Sequence, residues 1–233
     1  MKGRGQESFV RLPGFAAKLY NTLTQTEGIE RTHQEIARDL TSRLEHGRVL
    51  DVGTGPGKLL REIHQLNPGI ELFGLDISAA MVQLAKKNLA DIDVDVRCGD
   101  IRRTNYQALF FDIVTCTGSF YMWDHPNECL EEIFRITKPS GSAYLYETHR
   151  DLNTHELQRA LKTNLSGESL VRRLVTPFFL RKQLRMTYRT EEFAEIIKRT
   201  SFATSYTIGE VTLGGLPAFL RIQLNHSCAA GIE

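Results

Sequence analysis

A short hydrophobic strand that runs directly into a glycine-rich turn and then a helix is the feature that most restricts the fold of this chain. The stretch reads Val49-Leu-Asp-Val-Gly-Thr-Gly-Pro-Gly-Lys-Leu59, with glycines at positions 53, 55 and 57. Glycine lets the backbone turn sharply and approach a ligand closely, and the N-terminus of the following helix favours an anionic group. The pattern therefore predicts a ligand-binding loop at the carboxyl end of a buried β-strand.

The spacing of these glycines separates two kinds of nucleotide site. A dinucleotide fingerprint of the form G-x-G-x-x-G, counted from Gly53, needs its last glycine at position 58. That position is Lys58. The spacing therefore disfavours a nicotinamide-dinucleotide site, and a nicotinamide-linked reductase remains only as a less favoured alternative.

Short apolar runs alternate with helical patterns from residue 48 to about residue 145. Such alternation is typical of βαβ units and a parallel sheet. The last two strand patterns, residues 204–208 and 219–224, are separated by only about ten residues, which is too short for a helical crossover. We therefore predict an α/β, Rossmann-like fold: a mostly parallel seven-stranded sheet with an antiparallel last strand and helices on both faces.

Local signals predict where some of these elements begin. Asp124 is a candidate N-cap for a helix that has Pro126 in its first turn, and Thr190 is a candidate cap for a later helix. The stretch Lys138-Pro-Ser-Gly141 predicts a turn that leads into the fifth strand.

Acidic residues follow two further strands of the predicted sheet. Asp76 ends the second strand, where a carboxylate can accept hydrogen bonds from both hydroxyls of a ribose. Asp100 follows the third strand, placed to accept from an adenine amine while Ile77 and Ile101 flank the base. A helix cap and an ordinary turn are the alternatives for these two acids. Together with the glycine loop, they predict a pocket for an adenosine that carries a charged amino-acid tail.

Five motifs follow one another in the same region: Leu50-Asp-Val-Gly-Thr-Gly-Pro-Gly57, Gly74-Leu-Asp-Ile-Ser78, Cys98-Gly-Asp-Ile101, Phe111-Asp-Ile-Val114 and Leu130-x-x-Ile-x-Arg-x-x-Lys-Pro-Ser-Gly141. This order resembles that of the class I S-adenosylmethionine (SAM)-dependent methyltransferases, in the group that includes the ubiquinone and menaquinone biosynthesis methyltransferases. The resemblance implies SAM as the cofactor, S-adenosylhomocysteine (SAH) as the product, and methyl transfer by in-line displacement to a small-molecule acceptor.

The resemblance also implies a role for individual residues. The loop from Asp51 to Gly57 would hold the methionine part of SAM, and Thr117 and Gly118 would lie near the sulfonium. Tyr20 would reach the SAM carboxylate; an aromatic side chain packed on the sheet is the alternative. The complete set of cofactor-binding residues implied is Tyr20, Asp51, Gly53, Thr54, Gly55, Gly57, Asp76, Ile77, Met81, Asp100, Ile101, Thr117 and Gly118.

The chain departs from many relatives after the fourth strand. It reads Ser119-Phe-Tyr-Met-Trp-Asp-His-Pro126 where relatives often have a His-His-Trp run, so Tyr121 and Met122 stand at the two histidine positions. An amine or phenol acceptor would need a general base, and the sequence does not rank the four candidates, which are Tyr121, His125, Glu147 and His149. His149 and His155 lack a third ligand at a metal-binding spacing, so no metal site is predicted.

Two segments depart from the strand–helix alternation within what we predict to be a single methyltransferase domain, residues 1–233. Residues 1–45 are predicted to form a helical lid that orders over the cofactor. Residues 150–189 are far longer than a usual connection of two to six residues, and we expect them to form the acceptor-side wall. The later part of this insertion is basic and apolar, with Pro177 predicted to break any single helix. A solvated basic face, an anionic acceptor site and a contact with an acidic membrane surface are the three interpretations.

Composition excludes several other classes. The net charge of +1 disfavours a dedicated nucleic-acid-binding protein, and no apolar run approaches the length of a membrane span. The charged N-terminus lacks the apolar core of a secretory signal, and the four cysteines show no metal spacing, so a reduced, cytoplasmic protein is expected. We expect a monomer or homodimer. A SAM-binding protein without transferase activity, as part of a larger complex, is the alternative function.

Overall fold

A computed structural model describes residues 26–226, apart from the side chain of Phe179. Tyr20 and most of the predicted lid lie outside the described residues. The strands are β1 (Gly47–Val52), β2 (Ile70–Asp76), β3 (Val94–Cys98), β4 (Phe111–Thr117), β5 (Thr137–Thr148), β6 (Tyr206–Leu213) and β7 (Leu216–Asn225). The helices are α1 (Glu27–Thr41), α2 (Lys58–Leu66), α3 (Ala79–Asn88), α4 (Pro126–Ile136), α5 (Thr154–Asn164), α6 (Leu170–Met186) and α7 (Thr190–Ile197).

The seven strands form one sheet in the order β3-β2-β1-β4-β5-β7-β6. The first five strands are parallel, whereas β7 runs antiparallel to both of its neighbours, β5 and β6. The predicted fold, a mostly parallel sheet with an antiparallel last strand, is therefore confirmed. The carboxyl ends of β1, β2, β3 and β4 meet along one edge of this sheet, which brings the loops that follow them together.

Successive residues of the central strands pack into two different hydrophobic cores, because side chains alternate between the faces of a sheet. Val49 contributes to the core that contains α1, α2 and α3, whereas Leu50 contributes to the core that contains α4 and α7. Tyr144 and Leu145 of β5 divide in the same way. Helices therefore cover both faces, as expected for strands whose sequences are apolar at nearly every position.

A two-residue hairpin joins the last two strands. Gly214 and Gly215 both have positive φ angles, +57° and +74°, which is the backbone conformation that tight hairpin turns require. The predicted strand limits of 204–208 and 219–224 were too short, because each strand continues to the glycine pair. Glycine also leaves room for α1 here, since a Cβ atom on Gly214 would overlap the carbonyl oxygen of Gly28.

Two predicted helix caps are wrong by one residue. The N-cap of α4 is His125 rather than Asp124, because Pro126 takes the first helical position, where its missing N–H is not needed. The N-cap of α7 is Arg189 rather than Thr190. The backbone N–H of Arg189 donates to the Glu192 carboxylate at 2.7 Å.

Two predicted breaks lie inside regular elements. Pro177 does not end the helix of the insertion, because α6 continues through it as a single helix. The proline removes the N–H that would donate to the carbonyl oxygen of Arg173, which lies on an exposed turn where water can replace the lost donor. The predicted turn at residues 138–141 is an irregularity within β5, where the register with β4 shifts between Thr137 and Ser142.

Candidate functional site

A cavity of about 570 Å³ lies at the carboxyl ends of the parallel strands, between the sheet, α1 and the insertion. The volume is typical of a small-molecule site. Nine of the residues expected to bind the cofactor line it: Gly53, Thr54, Gly55, Asp76, Ile77, Met81, Ile101, Thr117 and Gly118. Four do not: Asp51, Gly57 and Asp100 lie off the cavity wall, and Tyr20 is outside the described residues.

The glycine loop after β1 forms the floor of this cavity. Gly53 and Gly55 have φ angles of +73° and +52°, which favour glycine. The backbone N–H groups of Gly53 and Thr54 both donate to the carbonyl oxygen of Leu75 on β2, at 2.7 and 3.1 Å. A Cβ atom on Gly53 would overlap the hydroxyl of Ser119, so the loop can approach β4 only with glycine at this position.

Gly57 has a different task from the other two glycines. It precedes the first residue of α2 with a φ angle of +79°, and a Cβ atom there would come within 2.6 Å of the Leu89 side chain. It therefore allows α2 to pack closely against the end of α3.

Asp76 lies on the cavity wall, and both of its carboxylate oxygens accept hydrogen bonds from backbone N–H groups. One oxygen accepts from the backbone N–H of Gly55 and the other from the backbone N–H of Ser78, both at 2.8 Å. Burial raises the pKa of Asp76, while these two hydrogen bonds act in the opposite direction. Ser78 caps α3 by accepting from the backbone N–H of Met81. The acid thus links the glycine loop to the start of α3 and still faces the cavity.

Asp51 and Asp100 do not reach the cavity wall. Asp51 is buried, and burial raises its pKa to about 7, with the charge of Asp76 adding to the rise and the Thr54 hydroxyl opposing it. The carboxylate of Asp100 binds Arg102 instead, accepting from its guanidinium at 2.6 Å and from its backbone N–H at 2.9 Å. The expected contact between Asp100 and an adenine amine stays a prediction, and the structure places an arginine two residues away on the same carboxylate.

Of the four candidate bases, only Tyr121 lines the cavity, where its side chain is buried in the short 3₁₀ turn Phe120–Met122. His125 is exposed and lies 3.4 Å from the carboxylate of Glu128. His149 is buried but does not line the cavity, and burial lowers its pKa, against the opposing charges of Glu210 and Asp151. Neither histidine is placed to act on a molecule in the cavity.

Glu147 supports the turn that carries Tyr121. One of its oxygens accepts from the backbone N–H groups of Ser119 and Phe120, at 2.8 and 2.9 Å. The side chain is fully buried, and burial raises its pKa to about 7. Glu147 does not line the cavity, so its contact with any ligand is indirect.

The predicted lid, residues 1–45, includes α1, but the sequence analysis does not name the residues of α1 that line the cavity. The first turns of α1 supply part of the wall, including Thr32 and His33, and Lys58 at the start of α2 lies nearby. Burial lowers the pKa of His33 to about 4, with the charge of Lys58 adding to the effect, so the ring is neutral at neutral pH. The helical spacing of His33 and Ile36 is typical of one side of a helix, and nothing in that pattern separates a core histidine from one on a cavity wall.

The insertion closes the cavity opposite the glycine loop. Thr176, Leu180, Gln183 and Met186 of α6 line it, and the Gln183 amide donates to the hydroxyl of Thr148 at 3.3 Å. The hydroxyl of Thr176 is buried without a hydrogen-bond partner within residues 26–226, and the same is true of Thr117 across the cavity. Buried hydroxyls of this kind are available to a bound molecule.

The geometry fits an adenosyl ligand with an amino-acid tail. The wall offers a half-buried carboxylate at Asp76, apolar surfaces at Ile77 and Ile101, and a glycine loop whose backbone faces the cavity. The seven-stranded sheet with an antiparallel β7, and the glycine loop after its first strand, form the Rossmann-like architecture that the sequence resemblance predicts. Residues 50–145, which are less than half of the chain, match the family described as "Methyltransferase domain". Over this part the chain is similar to that family.

Curated relatives match the same region. The chain is 30% identical over 95 residues to YdaC, an uncharacterised methyltransferase of Bacillus subtilis, covering 41% of this chain and 52% of that one. It is 33% identical over 102 residues to the demethylmenaquinone methyltransferase of Deinococcus radiodurans, covering 43% and 42%. The matched part of the chain thus spans about half the length of these relatives.

Solved structures share the fold across nearly the whole chain. A candidate SAM-dependent methyltransferase of Methanococcus maripaludis superposes with a TM-score of 0.72 at 21% identity, covering 94% of this chain and 95% of that one. The plantazolicin methyltransferase BpumL, solved with SAH, superposes with a TM-score of 0.69 at 19% identity, covering 96% and 95%. At these identities the likeness establishes the fold.

Proposed function

We propose that this protein binds SAM in the cavity and transfers its methyl group to a small-molecule acceptor. The observation that carries the proposal is the cavity itself. One wall is formed by the glycine loop and Asp76, and the opposite wall is formed by the insertion helix α6. A donor on the first wall and an acceptor against the second would meet near Thr117 and Gly118.

The residues at the strand ends suit the parts of SAM. The backbone of Gly53 and Gly55 would receive the methionine part, and the Asp76 carboxylate would accept from the ribose hydroxyls. Ile77 and Ile101 would cover the faces of the adenine. Asp100 would accept from the adenine amine, a contact for which the amine would share its carboxylate with Arg102.

Methyl transfer from SAM mainly requires the protein to align the methyl donor with the acceptor. A sulfonium methyl group is already activated, so the acceptor atom attacks the methyl carbon as the bond from carbon to sulfur breaks, and neutral SAH leaves. Holding the reactants in line and excluding water supply most of the rate enhancement. Apolar side chains on the acceptor side, including Trp123, Met186 and Phe219, would exclude water.

We assign Tyr121 as the residue that contacts the methyl acceptor. It is the one of the four candidate bases that lines the cavity, and Glu147 supports its turn from behind. A phenol there can accept a hydrogen bond from the acceptor and take up its proton while it passes its own proton to a base or to water. A basic side chain, Lys182, also lines the insertion side of the cavity, which supports an acceptor with an anionic group.

Relatives differ in their acceptors. Similar sequences include a demethylmenaquinone methyltransferase and the malonyl-[acyl-carrier protein] O-methyltransferase of Anoxybacillus flavithermus, so family membership leaves the acceptor open. We propose a small molecule and a cytoplasmic location. The free thiols of Cys98, Cys116 and Cys129 support that location, because reduced thiols are usual there.

Two measurements test the proposal. Titration calorimetry should show binding of SAH and no binding of NAD, and binding of NAD alone would contradict the proposed cofactor. Incubation with methyl-labelled SAM and a fractionated extract of small metabolites should then label at least one compound. Binding of SAH without transfer to any fraction would favour the alternative of a SAM-binding subunit without activity.

A further inference from the structure

The insertion helix α6 has an unusual concentration of exposed apolar side chains. Leu170, Val171, Leu174 and Phe178 are 76%, 60%, 77% and 66% exposed. Within residues 26–226, only Leu66 and Leu109 are other large apolar side chains with comparable exposure, and they are isolated. A cluster of this kind on one element marks an interaction surface, whereas single exposed apolar residues do not.

These residues lie on the outward face of α6. At 3.6 residues per turn, positions 170, 174, 178, 181 and 185 recur at spacings of three and four and share one face. Positions 176, 180 and 183 share another face, which lines the cavity. The exposed face is therefore separate from the proposed binding site, although both belong to one helix.

The same outward face is basic in its second half. Arg181 and Arg185 are exposed, and the sequence contains no acidic residue from position 169 to position 190. Within residues 26–226, Glu168 pairs with this helix by binding Arg172 at 2.9 Å. The face thus has an apolar first half and a cationic second half, which complements a surface that is both apolar and anionic.

We propose that the outward face of α6 docks on the surface of an anionic lipid bilayer. The helix would lie in the interface plane, with Leu170, Leu174 and Phe178 among the acyl chains and Arg181 and Arg185 on lipid phosphates. No helix in residues 26–226 is long and apolar enough to span a membrane, so the contact is peripheral. The proposal concerns surface binding and does not depend on methyl transfer.

Charge favours this occupant over two others. A second copy of the chain, packed through the same face about a two-fold axis, would offer Arg181 and Arg185 no acidic side chain, because residues 169–190 contain none. Residues 1–25 contain four basic and one acidic side chain, so they have the same sign of charge as the helix. An anionic bilayer supplies both the apolar interior and the opposite charge.

The test is sedimentation of the full-length protein with vesicles of phosphatidylcholine alone and of phosphatidylcholine with phosphatidylglycerol. We expect binding to the anionic vesicles that weakens with added salt. The double variant Arg181→Gln, Arg185→Gln should lower the partitioning of the protein onto anionic vesicles by roughly tenfold or more, since both side chains lose their electrostatic attraction to the lipid phosphates. The pair Leu174→Gln and Phe178→Gln should lower it comparably.

Matched controls on other surfaces make the test specific. Leu66→Gln removes an exposed apolar side chain from α2, and Lys86→Gln with Lys87→Gln removes two exposed cations from α3. Both controls should bind vesicles as the wild type does. SAH calorimetry on every variant reports folding and keeps this test separate from the test of the proposed function.

Three results would overturn the inference. The first is absence of binding to anionic vesicles, and the second is equal binding to vesicles with and without phosphatidylglycerol. The third is wild-type binding by both α6 variants. A fourth contradicting result would come from sedimentation velocity without lipid. If the protein is a dimer that dissociates when Leu174 and Phe178 are replaced, the outward face of α6 binds a second copy of the chain.

Discussion

Replacing Glu147 with glutamine should make the stability of the protein less dependent on pH. The Glu147 carboxyl is fully buried, and burial raises its pKa from 4.5 to about 7. A group whose pKa is raised on folding binds its proton more tightly in the folded state. The stability that it contributes is complete below the unfolded-state value and is lost as the pH rises through the folded-state value.

The size of the effect follows from these two values. A pKa of about 7 in the folded state against 4.5 in the unfolded state corresponds to a loss of roughly 2–3 kcal/mol of unfolding free energy between about pH 5 and pH 8. Glutamine is neutral throughout this range, and its carbonyl oxygen can still accept from the backbone N–H groups of Ser119 and Phe120. The variant should therefore gain that amount relative to the wild type at the alkaline end.

Urea unfolding at a series of pH values measures the difference in unfolding free energy between the Glu147→Gln variant and the wild type. Asp51, whose pKa burial also raises to about 7, contributes the same trend to both proteins and cancels in the comparison. Glu191→Gln, at an exposed position of α7, is the control and should follow the wild type. Parallel curves for the Glu147 variant and the wild type, or a wild type that is the more stable protein at pH 8, would refute the reasoning.

Three further predictions concern the cavity. Asp76→Ala should weaken SAH binding by roughly ten- to a hundredfold, the cost of losing hydrogen bonds to a charged acceptor, whereas Asp95→Ala on β3 should bind normally in calorimetry. Gly53→Ala should lower the unfolding free energy by roughly 1–3 kcal/mol, since the backbone is left-handed and the Cβ position is blocked, while Gly167→Ala, with open space around it, should change it by less than about 0.5 kcal/mol in urea unfolding. Tyr121→Phe should slow methyl transfer by roughly a hundredfold with SAH affinity unchanged. A wild-type rate would show that the Tyr121 hydroxyl has no role in the reaction.

Features of the site that depend on neighbours in sequence were predicted well. The glycine loop and the placement of Asp76 follow from residues a few positions apart, because strand ends, turns and helix starts have local signatures. The positions of Ile77 and Met81 follow from the same local pattern, since Ile77 comes directly after that acid and Met81 lies in the first turn of α3.

Features that depend on competition between partners were not predictable from spacing. Asp100 follows its strand as expected, but Arg102 is close enough to take its carboxylate. Pro177 carries a strong signal for a helix break, yet α6 passes through it because the affected turn is exposed. His33 reaches the cavity because α1 packs against α2 and the sheet. Its position therefore depends on tertiary contacts, which a periodic pattern does not contain.

The position of β7 between β5 and β6 has a consequence for how the protein is made. Residues 216–225, which form β7, leave the ribosome after both of the strands that flank them. Until then one edge of β5 is unpaired, although this strand is buried on both faces in the finished sheet. An apolar strand with an open edge is a template for pairing with other chains. We therefore expect nascent chains stalled before β7 to be the aggregation-prone species, and chaperones to be needed most at that stage of synthesis.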